Sequence, residues 1–598
     1  MRFPLLLGIL VGAAVTAGAL APRDAPAPEP EAIIEEQPLP RGFAGSDACQ
    51  SCHPDIHAEW SKSAHKLSIR PFSDEIVAKP FDGEIFTARD IDHRLGPGAW
   101  MECEGPGGEM QKFPVTDVIG VRRIQMFLTP MEKGRIQVLP VFIEVPAKRW
   151  FDYTDFIFGK PPNFEIPPDS PDSWYTFARN FNSRCVMCHA TDFDIGYDAD
   201  TGEYNTTWKE LTTGCESCHG PGEGHIVFHE EQRTGDDPIV NAATLDARTA
   251  DMTCGACHAE GEHVHLGFRP GDDLFAFVDP AGLENERHLH PDGRARELIH
   301  DLAPTWMSKC GPMTCTTCHD PHGRGHTGLL RKDVLDDTLC TSCHQDTPPH
   351  TNHAPESAGS RCVNCHMPRM LIEGGHGRVY DHTISIPSPK NTREFGLPNA
   401  CTDCHLLEEP FWAEESFEKW YPGAEEKNIR RRLAKVIEPG RRGVPDARDG
   451  LLELAKHENE FFRAGAVRLL APYDVDHGVY LADESVLVRR ASFDGLKRTD
   501  PDKLVPFLDH TNHVLRYRAA LALAEKRALR DEELRTKVIA VLEGFSTIRS
   551  DQVATHFALG RLYEAAGDRN RAMRAYERYI RINPWDQTVQ SRIDALRR

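Results

Sequence analysis

The sequence predicts a mainly α-helical protein: a loop-rich N-terminal part with a small β insertion, then an α-solenoid. Three observations carry that prediction. The motif Cys-x-x-Cys-His occurs eight times between residues 49 and 405. Strand-like residues interrupt the chain between Val115 and Tyr153. After Trp412 the cysteines are gone and a helical apolar period takes over.

The motif is the strongest signal. Its thiols are Cys49 and Cys52, Cys185 and Cys188, Cys215 and Cys218, Cys254 and Cys257, Cys315 and Cys318, Cys340 and Cys343, Cys362 and Cys365, and Cys401 and Cys404. The histidines that follow are His53, His189, His219, His258, His319, His344, His366 and His405. Two thiols at this spacing add across the vinyl groups of a porphyrin, and the adjacent imidazole falls under the iron as proximal ligand. The reading is eight covalent c-type haems. Zinc ribbons also use Cys-x-x-Cys pairs but have no need of His at the next position. A disulfide framework would not confine its cysteines to one spacing. Only Cys103 and Cys310 of the 18 cysteines stand outside the motifs.

Composition narrows the setting. The formal charge of −22 argues against nucleic acid and anionic membrane as partners. Residues 1–21 read as a secretory signal: Arg2, an apolar run from Leu5 to Val15, and Ala19-Leu20-Ala21 as a small-x-small cleavage site. An uncleaved tether is the alternative. Export agrees with haem attachment outside the cytoplasm, so a periplasmic location is expected. Residues 22–41 are a Pro/Ala/Glu-rich linker.

The haem part runs over residues 42–425. His65 lies beyond the first motif, on a short helical run, and is a distal-ligand candidate for its own or another haem. Residues 80–184 hold no motif, and the β insertion is expected at about 110–155, as plain packing or as the wall of a pocket. His225 follows the third motif across a Gly-rich turn and is a second distal candidate. His263 or His265 could serve the fourth motif. Met307 and Met313, before the fifth motif, read as core rather than as axial ligands. In the last four-motif run, His322, His353 and His382 are distal candidates, with His350 and His376 on similar loops.

Three segments repeat beyond residue 426: Phe462–Leu470, Val488–Leu496 and Leu515–Leu523, each with Arg near the start of an apolar helix face. They resemble HEAT-type units over residues 426–550. Gly560, Tyr563, Gly567, Ala572, Tyr576 and Pro584 stand at the offsets of one TPR unit within 551–598. Such a region caps the haem part or docks a partner.

The runs CQSCHPDIHAEWSKSAH, NSRCVMCHATDFDIGYD, GCESCHGPGEGH, CTTCHDPHG, CVNCHMP with DHTISIP, and PNACTDCH carry a resemblance. The haem region is similar to multihaem c-type cytochromes related to the nitrifier tetrahaem cytochrome c-554, in forms that carry a C-terminal repeat region. The resemblance implies a periplasmic or surface electron carrier with closely stacked haems. It also implies redox partner proteins, a membrane-bound respiratory complex among them. Cys103 and Cys310 depart from the family pattern; a disulfide between them and a free thiol near a haem are both open. An oxidoreductase acting on a small nitrogen or sulfur compound at one open haem is the alternative function. No motif has Lys for the proximal His, so the signature of ammonia-forming nitrite reductases is absent.

Overall fold

The computed structural model describes residues 39–154, 170–296 and 301–598, apart from 312, 324, 326, 346, 348, 349 and 372–377. The expected signal at 1–21, nearly all of the linker, His300 and His376 lie outside the described residues.

Strands begin at Ile69, well before the start expected near residue 110. Strands β2 (Glu84–Ala88), β3 (Ile91–Gly96), β4 (Trp100–Glu104) and β5 (Met110–Pro114) form an antiparallel meander. A second sheet has the order β1 (Ile69–Pro71), β6 (Asp117–Ile119), β7 (Ile124–Pro130), β9 (Val141–Glu144) and β10 (Arg149–Asp152), with β8 (Ile136–Val138) also paired to β7. The early strands are hard to read because β2 is mostly exposed and carries no apolar alternation. By contrast β7 is buried along most of its length and is mostly apolar, with Gln125 and Thr129 buried among Ile124, Met126, Phe127 and Leu128. Gly120 makes the turn into β7 at φ +97°, where an added Cβ would lie 2.1 Å from the Ile124 carbonyl oxygen. Phe81 meets Phe127 and Trp150 edge-on, with ring centres 5.0 and 5.6 Å apart, at the centre of this core.

Cys103 sits in β4, fully buried in the β core beside Glu104, Asp152 and Glu102. Cys310 lies far from that core, on the cavity described below, near Cys318 and Cys343. Both thiols are free, so the disulfide expected as one option is not formed.

From Ile429 onward the chain is helical: Ile429–Arg441, Ala447–Leu454, Glu460–Leu469, Val486–Thr499, His513–Glu525, Glu532–Ile548, Val553–Ala565, Arg569–Ile582 and Gln587–Arg597. Asparagine or aspartate side chains cap many of them, Asn459 accepting from the Phe461 and Phe462 amides for example. The change of composition after Trp412 is not a packing boundary. Met252, Leu274, Phe275 and Leu302 of the haem part share one core with Leu433, Phe461, Phe462 and Val488. The close fit is visible at Gly465, where an added Cβ would stand 2.7 Å from the Leu283 Cβ.

Charge knits the two parts further. Asp279 accepts from Arg468 at 2.7 Å, Arg490 at 3.0 Å and Arg518 at 2.8 Å, one guanidinium from each of three successive long helices. Burial alone would raise the Asp279 pKa, but the three guanidiniums hold it well below the usual carboxylate range.

Candidate haem sites

Each Cys-x-x-Cys-His lies on or beside a short helix, which puts both thiols and the imidazole on one side of a single turn. Local chemistry starts these turns. Asp246 accepts from the Arg248 and Thr249 amides at the head of Ala247–His258. Asn399 accepts from the Cys401 and Thr402 amides, and Thr314 and Thr317 form a capping box ahead of Cys315–Cys318.

Five motif histidines face a second imidazole across a gap. The ring centres of His53 and His225 are 6.4 Å apart at 17°. Those of His219 and His322 are 6.2 Å apart at 5°, and of His319 and His382 6.3 Å apart at 29°. His366 faces His350 at 6.0 Å and His405 faces His353 at 6.2 Å. Two imidazoles on opposite sides of one metal, each bonded at about 2 Å, have ring centres about 6 Å apart. Imidazoles in direct contact are closer: His265 stacks on His513 at 3.8 Å.

The outer nitrogens support the same arrangement. A metal-bound imidazole normally donates its other N–H to a carbonyl or carboxylate, which fixes the ring. His219 Nδ1 lies 2.8 Å from the Val240 carbonyl, His319 Nδ1 2.9 Å from that of Gly328 and His366 Nδ1 3.1 Å from that of Ser385. His225 Nδ1 faces Asp237 at 2.8 Å, His322 Nδ1 faces Asp320 at 3.4 Å and His353 Nδ1 faces the Thr351 carbonyl at 2.6 Å. In each case Nδ1 is engaged and Nε2 is left for an iron. Burial pushes His189 down to about 4, which keeps its ring neutral and able to coordinate.

Most of the motifs line one continuous cavity of about 2870 Å³, far above the ~300–1,000 Å³ of an ordinary ligand pocket. Proximity between thiols of different motifs gives their order in space. Cys49 lies beside Cys215, Cys188 beside Cys257, Cys254 beside Cys315 and Cys340 beside Cys362. Cys218 lies near Cys254, Cys318 near Cys343, and Cys365 near Cys404. The motifs therefore run first, third, fourth, fifth, sixth, seventh, eighth, with the second branching at the fourth. This is one connected array.

Of the five expected distal residues, His225, His322, His353 and His382 each face a motif histidine, and none faces that of the motif just before it. His65 has left its own motif: its Nδ1 lies 3.4 Å from the Pro321 carbonyl, with His258 and His319 nearby. His265 is committed to His513, while His263 is half-buried on the cavity wall. Met307 is in the helical core and Met313 on the cavity. Missed altogether was Asp301, which reaches His258 and His382 and has no motif to mark it.

The thiols, paired imidazoles and cavity define a protein built to hold covalent haem. A family model for the doubled CXXCH motif matches residues 311–348, and one for cytochrome c554 and c-prime matches residues 174–220. The chain is 26% identical over 266 residues to the multiheme cytochrome MtrA of Shewanella baltica (strain OS185), covering 37% of this chain and 75% of that one. It is 22% identical over 383 residues to the dissimilatory sulfite reductase MccA of Wolinella succinogenes, covering 56% of this chain and 51% of that protein, about half its length. No solved structure matches. The chain is a multihaem c-type cytochrome carrying covalent haem c.

Proposed function

We propose that this protein is an exported, periplasmic electron-transfer cytochrome with eight haems, most of them ligated by two histidines. The observation that carries the reading is the connected array of motifs combined with five imidazole pairs at one common spacing. Haem supplies one-electron redox chemistry. The chain's part is to fix several of the imidazoles through Nδ1 partners, to exclude water, and to bring neighbouring motifs close together so that no long gap interrupts conduction. The axial ligands read from this geometry are His53 with His225, His219 with His322, His319 with His382, His366 with His350 and His405 with His353, with His65 serving His258. Among the described residues no helix is long and apolar enough to cross a membrane.

The helical region is read as HEAT-like units followed by one TPR unit. Its main support is the recurrence of an Arg that reaches Asp279 from three successive long helices. That inner face is occupied by the haem part, which favours a structural cap; docking of a redox partner falls to the outer face. Intact mass and pyridine haemochrome assay test the count, with eight haems expected. EPR tests the ligation, with low-spin ferric signals expected for the paired sites.

A second reading has one specific support. Arg179 is half-buried beside Cys185 of the second motif, and its Nε has no hydrogen-bond partner. Burial lowers its pKa to about 10, so it remains a cation at neutral pH. Arg184 and Arg287 line the same part of the cavity. Such cations suit haem propionates or an anionic oxyacid, and the similarity to a sulfite reductase favours testing sulfite. Consumption of sulfite by the reduced protein would support an oxidoreductase; its absence leaves conduction.

A further inference from the structure

Most of the axial imidazoles above have an Nδ1 partner of their own. His258 and His382 do not. His258 Nδ1 lies 3.4 Å from Asp301 Oδ2, and His382 Nδ1 lies 3.1 Å from Asp301 Oδ1. His258 belongs to the fourth motif, and His382 faces His319 of the fifth. One carboxylate thus meets axial imidazoles of two different iron sites, and it is the only such carboxylate among the described residues. The same two motifs lie side by side at Cys254 and Cys315.

The position of Asp301 is built, not incidental. Its backbone N–H donates to the His258 carbonyl at 3.0 Å, tying it to the fourth motif a second time. It opens the helix Leu302–Trp306, whose Leu302 and Ala303 are fixed in the core shared with the C-terminal helices. Its carboxylate opens on the haem cavity. Arg123 on the cavity wall faces it.

We propose that Asp301 is a positioning residue that orients His258 and His382 together and lowers the reduction potentials of both irons as a linked pair. The inference rests on the bis-histidine reading of these sites. An anionic acceptor at Nδ1 draws the imidazole N–H toward it and makes Nε2 a stronger donor to iron, which favours the ferric over the ferrous state. Each reduction adds one electron from an external one-electron donor, with no bond made or broken. Because one carboxylate serves both rings, weakening it changes the two sites together.

The test is a potentiometric titration of the intact haem-loaded protein, followed optically and by EPR. Asp301→Asn keeps the shape and removes the charge. The expected result is an upward shift of two midpoint potentials, with the others unmoved, and return toward wild type in Asp301→Glu. Arg123→Gln, which removes the opposing cation, is expected to shift the same two downward, and it stands as the second probe if Asp301→Asn loads haem poorly. No shift in either variant, or a shift of one potential alone, overturns the proposal. Failure of the bis-histidine reading is separately visible: His382→Ala would then leave the wild-type low-spin signals unchanged.

Discussion

The imidazoles of His219 and His322 lie parallel within 5°, 6.2 Å apart, although they come from different motif regions of the chain. Each is braced from behind, His219 by the Val240 carbonyl and His322 by Asp320. The pair is expected to hold one iron low-spin. His322→Ala should convert one ferric site to high-spin in the EPR spectrum and open it to cyanide, while haem content by mass stays at the wild-type value. Haem attachment survives because Cys215, Cys218 and His219 are untouched. An unchanged low-spin spectrum would show that His322 is not a ligand.

The motif residues stand out one by one in the sequence, because thioether chemistry confines two Cys and a His to one spacing. The histidines that face motif imidazoles were all candidates in the sequence, but their partners were not legible. His225 faces His53 and His322 faces His219, and only tertiary packing decides such crossings. The β region was underestimated because β2 is exposed and its alternation weak. Asp301 was invisible because one aspartate in a loop looks like any other. The helical character beyond Ile429 was legible from the apolar period, but not the fact that its core is continuous with Met252, Leu274 and Phe275.

Asp279 is expected to be a stability determinant with a definite pH signature. Its folded pKa is held below the unfolded value of about 3.9. The stabilisation is therefore present above about pH 4 and is lost as pH falls through the folded value. Asp279→Ala leaves Arg468, Arg490 and Arg518 facing one another without their anion, and removing one partner of a buried ion network costs about 3–5 kcal/mol. Chemical denaturation at neutral pH should show that loss. The variant should also lose part of the wild type's steepening between pH 5 and 3, and an equal slope in both proteins would contradict the assignment.

Cys103 and Cys310 should differ in reactivity. Burial raises the Cys103 thiol far above its ordinary value, and nothing reaches it inside β4. Cys310 is only half buried, its pKa raised first by burial. Under native, non-reducing conditions iodoacetamide should modify Cys310 slowly and spare Cys103. Denaturant should expose both without added reductant. A peptide pair linked through the two cysteines in the mass spectrum would refute the free thiols.

Two glycines on neighbouring helices make a matched test of packing. At Gly560 an added Cβ would stand 2.4 Å from the Tyr576 ring, whereas at Gly544 it would meet nothing within 4 Å. Gly560→Ala is expected to force the helices Val553–Ala565 and Arg569–Ile582 apart, at a cost of about 1–3 kcal/mol. Gly544→Ala should stabilise by up to about 1 kcal/mol, since alanine is the better helix former. Opposite shifts in thermal midpoint are the expected outcome, and shifts of the same sign would argue against this helix pairing.

The helical region is expected to be inseparable from the haem part. Phe461, Phe462, Leu433 and Val488 are buried against Phe275, Leu274 and Leu302, and burying each large apolar side chain contributes about 1.5–3 kcal/mol. Deleting residues 427–598 would uncover that surface. It would also leave Asp279 without any of its three guanidiniums and leave the His263 carbonyl without the Arg549 and Gln552 side chains that donate to it. The truncated chain should therefore accumulate poorly and bind fewer haems per chain, the loss falling first on the second and fourth motifs, which these residues adjoin. Full haem loading and unchanged potentials in the truncated protein would instead mean that the helices serve only as an outer docking module.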